Sequence, residues 1–257
     1  MNAAWDQQAW TLSKRITGVD NMIEAFDMCR DGWPEGAARV ARMRDRINTA
    51  HPIGPRLVHW DIAGAYPSVA RALAGNPMNM RRLDSSRTRR KPVITIVHHM
   101  GGIASVAADT FTNKAAVMAA IIDAIEGADF QVELIAVSLT RGIADEKFAH
   151  ETAFTVKEAG QPVDIGRLAF GVGHVAAFRR LVFATRSLNH ANAPLTNSLG
   201  RTLDYAQRPE GVYVLPSLNT CESHFRSETE AETQGLAFFI SQLAAQGCPA
   251  FPQLEAA

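Results

Sequence analysis

The feature that most constrains the fold is a run of β-branched residues at positions 93–97, with the sequence VITIV. Pro92 precedes the run, and a His-His-Met-Gly-Gly segment follows it. A short apolar run that is rich in Val, Ile and Thr and bounded by turn residues is typical of a strand buried on both faces. Helices cover both sides of sheets that contain such strands, so the run predicts an α/β fold.

Strand and helix patterns alternate after this run. Apolar residues at helical spacing predict a helix over residues 115–125, with Thr112 and Asn113 at its N-cap and Gly127 at its end. Further patterns predict strands at 130–139, 152–157 and 211–215, and helices at 173–186 and 227–246. This order is typical of an open, mostly parallel sheet with flanking helices.

The first third of the chain differs from the rest in pattern and charge. Residues 1–90 predict a helical, basic N-terminal section, with helices over 19–30 and after Pro34, and residues 91–257 predict the α/β sheet domain. Residues 1–100 carry 15 basic and 9 acidic side chains, a balance of +6, whereas residues 101–257 carry 11 and 17, a balance of −6. This asymmetry indicates either different partners for the two parts or a mutual interface.

One segment of the N-terminal section resembles a known family. The segment DIAGAYPSVARALAGNPMNM, at positions 61–80, is similar to a stretch in an uncharacterised protein family found in phage genomes. In that family the stretch precedes a strand, a long helix and a second strand, and the similarity continues here to about residue 188. The family implies phage origin and brings no established activity. The matching residues are Asp61, Gly64, Pro67, Val69, Leu73, Ala74, Gly75 and Pro77.

The order of elements also resembles a von Willebrand factor A-type domain. Metal-binding domains of that type carry Asp-x-Ser-x-Ser after the first strand, where the oxygens bind Mg²⁺ or Ca²⁺. Here the corresponding loop reads HHMGGIAS and contains no carboxylate. We therefore expect a von Willebrand factor A-like fold without the usual metal motif.

Two clusters could instead bind a metal that accepts imidazole or thiolate, such as Zn²⁺. His98 and His99 follow the first strand, and Cys221 and His224 follow the strand at 211–215, with Glu222 as a base between them. Neighbouring strand residues point to opposite faces, so only one of the two histidines can face a given site. The alternative for Cys221 and His224 is a loop that merely contains both residues.

A basic strip begins in the N-terminal section and ends just before the first strand. Clustered guanidinium groups form bidentate hydrogen bonds with phosphates and displace counterions from nucleic acid. The alternative is a solvated connector, which has the same composition. Aromatic residues also concentrate in this part of the chain, where they could stack on bases or pack in a core. The strip consists of Arg81, Arg82, Arg87, Arg89, Arg90 and Lys91, and the aromatic residues are Trp5, Trp10, Trp33, Trp60 and Tyr66.

These observations predict a non-catalytic, phage-type binding protein in the cytoplasm of the host cell. Its partner would be nucleic acid, single-stranded in particular, or a phage protein, in genome metabolism or assembly. We expect no cofactor, no contact with membranes, and reduced thiols at Cys29, Cys221 and Cys248. The alternative function is a metal-dependent hydrolase or nuclease that uses the His/Cys cluster.

Overall fold

The computed structural model describes residues 14–51, 58–63, 66–83, 91–103, 105–141, 149–185, 201–202 and 211–251. The fold is α/β, with a mixed sheet that helices flank. The N-terminal elements are α1 (Lys14–Thr17), α2 (Met22–Asp31), α3 (Pro34–Ala50), β1 (Val58–Asp61), β2 (Tyr66–Pro67), α4 (Val69–Leu73) and β3 (Met80–Leu83).

The remaining elements contain the main sheet and its helices. In chain order they are β4 (Val93–His99), α5 (Ala108–Gly127), β5 (Gln131–Arg141), β6 (Ala149–Lys157), α6 (Ile165–Gly173), a π-helical segment (Ala177–Val182), β7 (Arg201–Thr202), β8 (Val212–Leu215), α7 (Leu218–Cys221), a 3-10 turn (Glu222–His224), α8 (Glu228–Glu230), a second π-helical segment (Ala231–Gly235) and α9 (Leu236–Ala245).

The main sheet has the strand order β6-β5-β4-β8, and the two-residue β7 also pairs with β5. The central strand β4 is parallel to both β5 and β8, whereas β5 is antiparallel to β6 and β7. The prediction of a mostly parallel sheet is therefore wrong. Only residues 142–148 connect β5 to β6. A parallel crossover needs a dozen or more residues, so a connection this short favours an antiparallel pair.

Helix α5 forms the centre of the core. Ile94 and Ile96 on one face of β4 belong to the same buried cluster as most apolar residues of α5. Every residue from 110 to 122 is buried, as in a helix that has protein on all sides. The predicted N-cap at Thr112 and Asn113 is wrong, because the helix begins at Ala108. The two side chains instead bond to distant carbonyl groups, those of Gly173 and Phe225 respectively.

The N-terminal helices pack against this core. Helix α2 begins at Met22, where the Asn21 side chain accepts a hydrogen bond from the Glu24 amide. On α3, the buried face consists of Val40, Met43 and Ile47, which join the cluster around α5. Residues 84–90 lie outside the described part of the chain, and the predicted boundary near residue 90 stays a prediction.

The N-terminal section also contains a three-strand antiparallel sheet with the order β1-β3-β2. The sequence patterns predicted helices and turns here, and no sheet. These strands are two to four residues long. Such short strands give too few alternating positions for a periodic signal.

The last helical region matches its prediction at both ends. Ser227 and Glu230 form a capping box at its start, and α9 ends at Ala245. Beyond α9, the Gln246 side chain accepts from the Val214 amide and donates to the Val214 carbonyl, both at 2.8 Å. It thereby occupies hydrogen-bonding groups at the edge of β8. The other predicted helix, at 173–186, is displaced, because α6 ends at Gly173 and a π-helical segment follows.

Two further expectations concern membranes and thiols. Within the described residues, no single helix is long and apolar enough to cross a bilayer. One pair, Ile165–Gly173 with Ala177–Thr185, meets the criteria of length and composition together but is bent by 63°. All three cysteines are free thiols; Cys29 is exposed, and Cys221 and Cys248 are buried.

Candidate functional site

The two strands that are parallel to β4 lie on opposite sides of it, so the order of strands reverses at β4. From β4 the chain passes through α5 to β5 on one side, while β8, much later in the chain, pairs with the other side of β4. In open α/β sheets the crevice for a ligand lies beyond the carboxyl ends of the strands at such a point. Here the loops after β4 and β8 are joined, since the Leu218 amide donates to the Gly101 carbonyl (3.0 Å) and the Ile103 amide to Asn219 Oδ1 (2.7 Å).

A small pocket lies at this edge of the sheet. Its polar lining comes from β4, α5 and the end of α6, in the form of His98, Lys114 and His174. The space between the lining side chains holds about one water molecule. The other lining residues are Met100, Gly101, Phe111, Val172, Phe178 and Leu218.

Lys114 connects α5 to the ends of both parallel strands. Its side chain lies in the core, with the residue only 1% exposed. Its Nζ donates to the Pro216 carbonyl at 2.7 Å and to the His99 carbonyl at 3.5 Å. A buried ammonium group requires hydrogen-bond acceptors, and carbonyl groups at the carboxyl ends of two strands supply them.

His98 shares the inward face of β4 with Ile94 and Ile96 and is 3% exposed. Burial lowers its pKa well below the usual value, and the charges of Lys114 and His99 add to the effect. The ring is therefore neutral at pH 7. Nδ1 is buried and has no hydrogen-bond partner among the residues that the structure describes. An unsatisfied buried polar atom costs about 1–3 kcal/mol, so this nitrogen requires a partner that the described residues do not supply.

His174 lies across the pocket from the strand ends, directly after α6. Its Nδ1 accepts a hydrogen bond from the Ala176 amide at 3.1 Å, so the neutral ring carries its proton on Nε2. The ring stacks on Phe170 and meets Trp33 edge-on, with centroids 5.7 and 4.5 Å away. Burial lowers the pKa of His174 to about 4, and the charge of Glu24 opposes this effect.

A buried arginine, Arg179, forms hydrogen bonds with the loop after β4. Arg179 donates to the Ile103 carbonyl (2.8 Å) and to the Ile16 carbonyl (2.9 Å). The guanidinium carbon also lies 5.6 Å from the centroid of the Phe111 ring. These contacts fix the loop to the N-terminal helices and to the start of α5.

Lys114, His174 and Arg179 were not among the residues singled out in the sequence. Lys114 has a signal of its own, as the single charged side chain in the apolar run from residue 110 to 122. A charge on an otherwise buried helix indicates a specific partner. The positions of His174 and Arg179 depend on contacts between distant segments, which no local pattern contains.

The residues of the predicted metal cluster occupy different surroundings. His99 is buried and follows His98 on β4, so the two rings point to opposite faces. Cys221 Sγ lies 3.2 Å from the Ser217 carbonyl, and the His224 ring stacks on Phe238 with centroids 4.5 Å apart. Across the described ranges, no group of three or more His, Cys, Asp and Glu side chains could hold a metal ion.

The basic strip is described only at its ends. Arg81 and Arg82 lie on β3, while Arg87, Arg89 and Arg90 fall outside the described residues. At the other end, Lys91 Nζ forms an exposed ion pair with Asp129 at 2.7 Å.

In the small sheet, Arg81, the first residue of the basic strip, is paired with two aromatic residues. Arg81 lies directly opposite Trp60 of β1 on one side and opposite Tyr66 of β2 on the other. Directly opposite residues of antiparallel strands share a face of the sheet. One face of the small sheet therefore has an arginine position between two aromatic positions.

Arginines on the basic side of α3 form ion pairs with carboxylates elsewhere in the protein. Arg46 contacts Glu228 at 2.5 Å and Glu232 at 2.6 Å, and Arg39 contacts Glu228 at 3.2 Å and also pairs with Asp109. These contacts join the basic N-terminal helix to acidic residues of the second half. Of the two explanations for the charge asymmetry, they favour a mutual interface.

Comparison with known proteins gives one match. Residues 7–237 match the model of a family described as Domain of unknown function (DUF7192). No curated protein and no solved structure shows a significant match to the sequence. Because the family model spans the N-terminal helices, both sheets and most of the C-terminal helical region, the chain belongs to the DUF7192 family.

Proposed function

We propose that the protein is a non-catalytic, phage-type binding protein that contacts single-stranded nucleic acid through the small sheet β1-β3-β2 and the adjoining basic strip. The observation that carries this proposal is the register of the small sheet, which sets Arg81 between Trp60 and Tyr66. Proteins that bind single strands without sequence preference combine aromatic residues, on which bases stack, with a basic path for the backbone.

The expected energies of base stacking and of phosphate binding at Lys91 are compatible with binding of a single-stranded nucleic acid. Stacking of a base on an aromatic side chain contributes about 1–3 kcal/mol per base. The ion pair between Lys91 and Asp129 is exposed, and exposed pairs are worth only about 0–1 kcal/mol. A phosphate group can therefore replace Asp129 as the partner of Lys91 at little cost.

A protein partner is the second candidate, and exposed apolar side chains near the small sheet favour it. Ile62, Val69, Leu73 and Met78 are 73%, 68%, 84% and 48% exposed, respectively. They lie within a single stretch of the chain, around α4. Exposed apolar residues that cluster in this way are typical of surfaces that contact other proteins.

The proposal extends to the type of fold and its setting. A von Willebrand factor A-like arrangement is supported by the parallel pair β4 and β5 with α5 as the crossover. Phage origin and action in the host cytoplasm rest on the resemblance of the segment at positions 61–80.

Fluorescence anisotropy with labelled single-stranded and double-stranded DNA and RNA tests the proposal. We expect binding to single strands that weakens steeply between two salt concentrations, because bound cationic groups release counterions. The double variant Trp60→Ala/Tyr66→Ala should weaken binding by at least tenfold with little change in salt dependence. Arg81→Ala should reduce the salt dependence as well. Arg42→Ala, at an exposed position of α3, is the matched control and should bind as the wild type does.

Two results would contradict the proposal. Equal affinity of the aromatic double variant and the wild type would exclude the small sheet as the binding surface. No binding to any of the four nucleic acids would leave the protein partner as the better candidate. Metal analysis of the same sample tests the hydrolase alternative, which requires stoichiometric Zn²⁺ or Mn²⁺ that His224→Ala removes.

A further inference from the structure

We propose that the pocket at the carboxyl ends of β4 and β8 binds one oxygen atom of an oxyanion, which is the phosphate or carboxylate group of a small molecule. This site is separate from the surface proposed for nucleic acid, because none of its lining residues belongs to the small sheet or the basic strip. Its function does not depend on the outcome for that surface.

The donors around the pocket come from α5 and from the loop after β4. Lys114 supplies the ammonium group from α5, where its Nζ also bonds to the Pro216 carbonyl at 2.7 Å. Gly101 supplies a backbone amide, which donates to no acceptor among the described residues, although its carbonyl accepts from Leu218. His174 also lines the pocket, but the edge of its ring that carries Nε2 lies beside Gly18.

His98 is the observation that indicates a ligand. Only 3% of the His98 surface is exposed, and the residue lines the pocket. Its buried Nδ1 has no hydrogen-bond partner in the described part of the chain. Buried polar atoms in proteins are nearly always paired, and the exceptions often mark the place of a bound group. A ligand oxygen in the pocket would give this imidazole a partner.

The charge and size of the pocket define the class of ligand. Its nine lining residues include one lysine and two histidines and no carboxylate. The remaining lining is mainly apolar, and in such surroundings a hydrogen bond to a charged group is stronger than in water. Because the space holds about one water molecule, it fits the oxygen end of an anion and not a whole cofactor.

The test is a titration of the full-length protein followed by NMR of the histidine rings. Labelled protein at pH 7 receives inorganic phosphate or acetate while chloride keeps the ionic strength constant. The His98 signals are assigned by their loss in His98→Asn. We expect a saturable shift of the His98 signals with at least one of the two anions, and no such shift with chloride alone.

Two lysine variants examine the origin of the effect. Lys114→Met should weaken the anion at least tenfold. Lys157→Met is the matched control and should retain binding, because Lys157 is also buried and bonds to a carbonyl group, that of Val132, but lies outside the pocket. If Lys114→Met does not fold, His98→Asn replaces it, and the readout becomes the loss of the anion-dependent rise in the thermal midpoint.

Each outcome has a definite meaning. Saturation with phosphate alone identifies a phosphate group as the ligand, and saturation with acetate identifies a carboxylate. Shifts that do not saturate, or that chloride also produces, would overturn the proposal. Wild-type affinity in the folded Lys114→Met variant would overturn it as well.

Discussion

Protonation of His174 is expected to destabilise the protein below neutral pH. The buried ring has a pKa of about 4 in the folded protein, against an ordinary value of 6.5. Between these values the unfolded chain binds a proton that the folded protein excludes. The contribution of His174 to stability is thus fully present above about pH 6.5, and it is lost as the pH falls towards 4. His98, whose pKa is also lowered by burial, acts in the same direction.

The magnitude follows from the shift in pKa. Each pKa unit corresponds to about 1.4 kcal/mol, so the full effect of His174 amounts to roughly 3 kcal/mol. At pH 5 the unfolded chain is almost fully protonated at this residue and the folded protein is not, and roughly 2 kcal/mol of the free energy of unfolding is lost. This is a large part of the stability of a typical domain, which is about 5–15 kcal/mol.

Urea unfolding measures this loss, with the fluorescence of tryptophans such as Trp33, which contacts the His174 ring, as the signal. The wild type and His174→Gln are compared at pH 7.5, 6 and 5. Other titrating groups affect both proteins alike, so the variant should lose about 2 kcal/mol less than the wild type between pH 7.5 and pH 5. His51→Gln, at an exposed position, should behave as the wild type. The same pH dependence in His174→Gln and the wild type would refute the reasoning.

Three further variants test local features of the fold by thermal or urea unfolding. Gly36→Ala places a methyl group where the Trp33 ring lies, and this overlap should cost about 1–3 kcal/mol in spite of the higher helix propensity of alanine. Ser227→Ala removes a capping box and should cost about 1 kcal/mol. Gln246→Ala removes two hydrogen bonds to Val214, at about 1–2 kcal/mol. It also frees the edge of β8, so light scattering should show association that increases with concentration.

Local patterns predicted the elements whose evidence lies within one stretch of chain. The β-branched run became β4, and the acidic start of the last helical region became a capping box at Ser227. The orientation of β6 was not accessible in this way, because the predicted strands at 130–139 and 152–157 leave twelve residues between them, whereas the structure leaves seven. The strands of the small sheet depend on pairing between segments about 20 residues apart. Strands of four residues or fewer leave no periodicity by which to find them.

The candidate site was predictable in position and not in composition. A ligand site of an open α/β sheet is expected at the carboxyl ends of its parallel strands, and His98 is the last residue but one of β4. However, Lys114 and His174 reach the same pocket from elements 16 and 76 residues further along the chain. The two sequence neighbours of interest, His98 and His99, are separated by the alternation of the strand. Sequence proximity grouped residues that the fold separates, and it missed those that the fold brings together.

The internal ion pairs also bear on where nucleic acid can bind. Arg39 and Arg46 on α3 have carboxylate partners within the chain, Glu228 for both and Glu232 for Arg46. A phosphate backbone would have to displace these carboxylates, and their remaining negative charge would oppose it. Lys91, in contrast, forms an exposed ion pair with Asp129. A nucleic-acid contact at Lys91, as proposed, would therefore meet less opposition from internal carboxylates than a contact at α3.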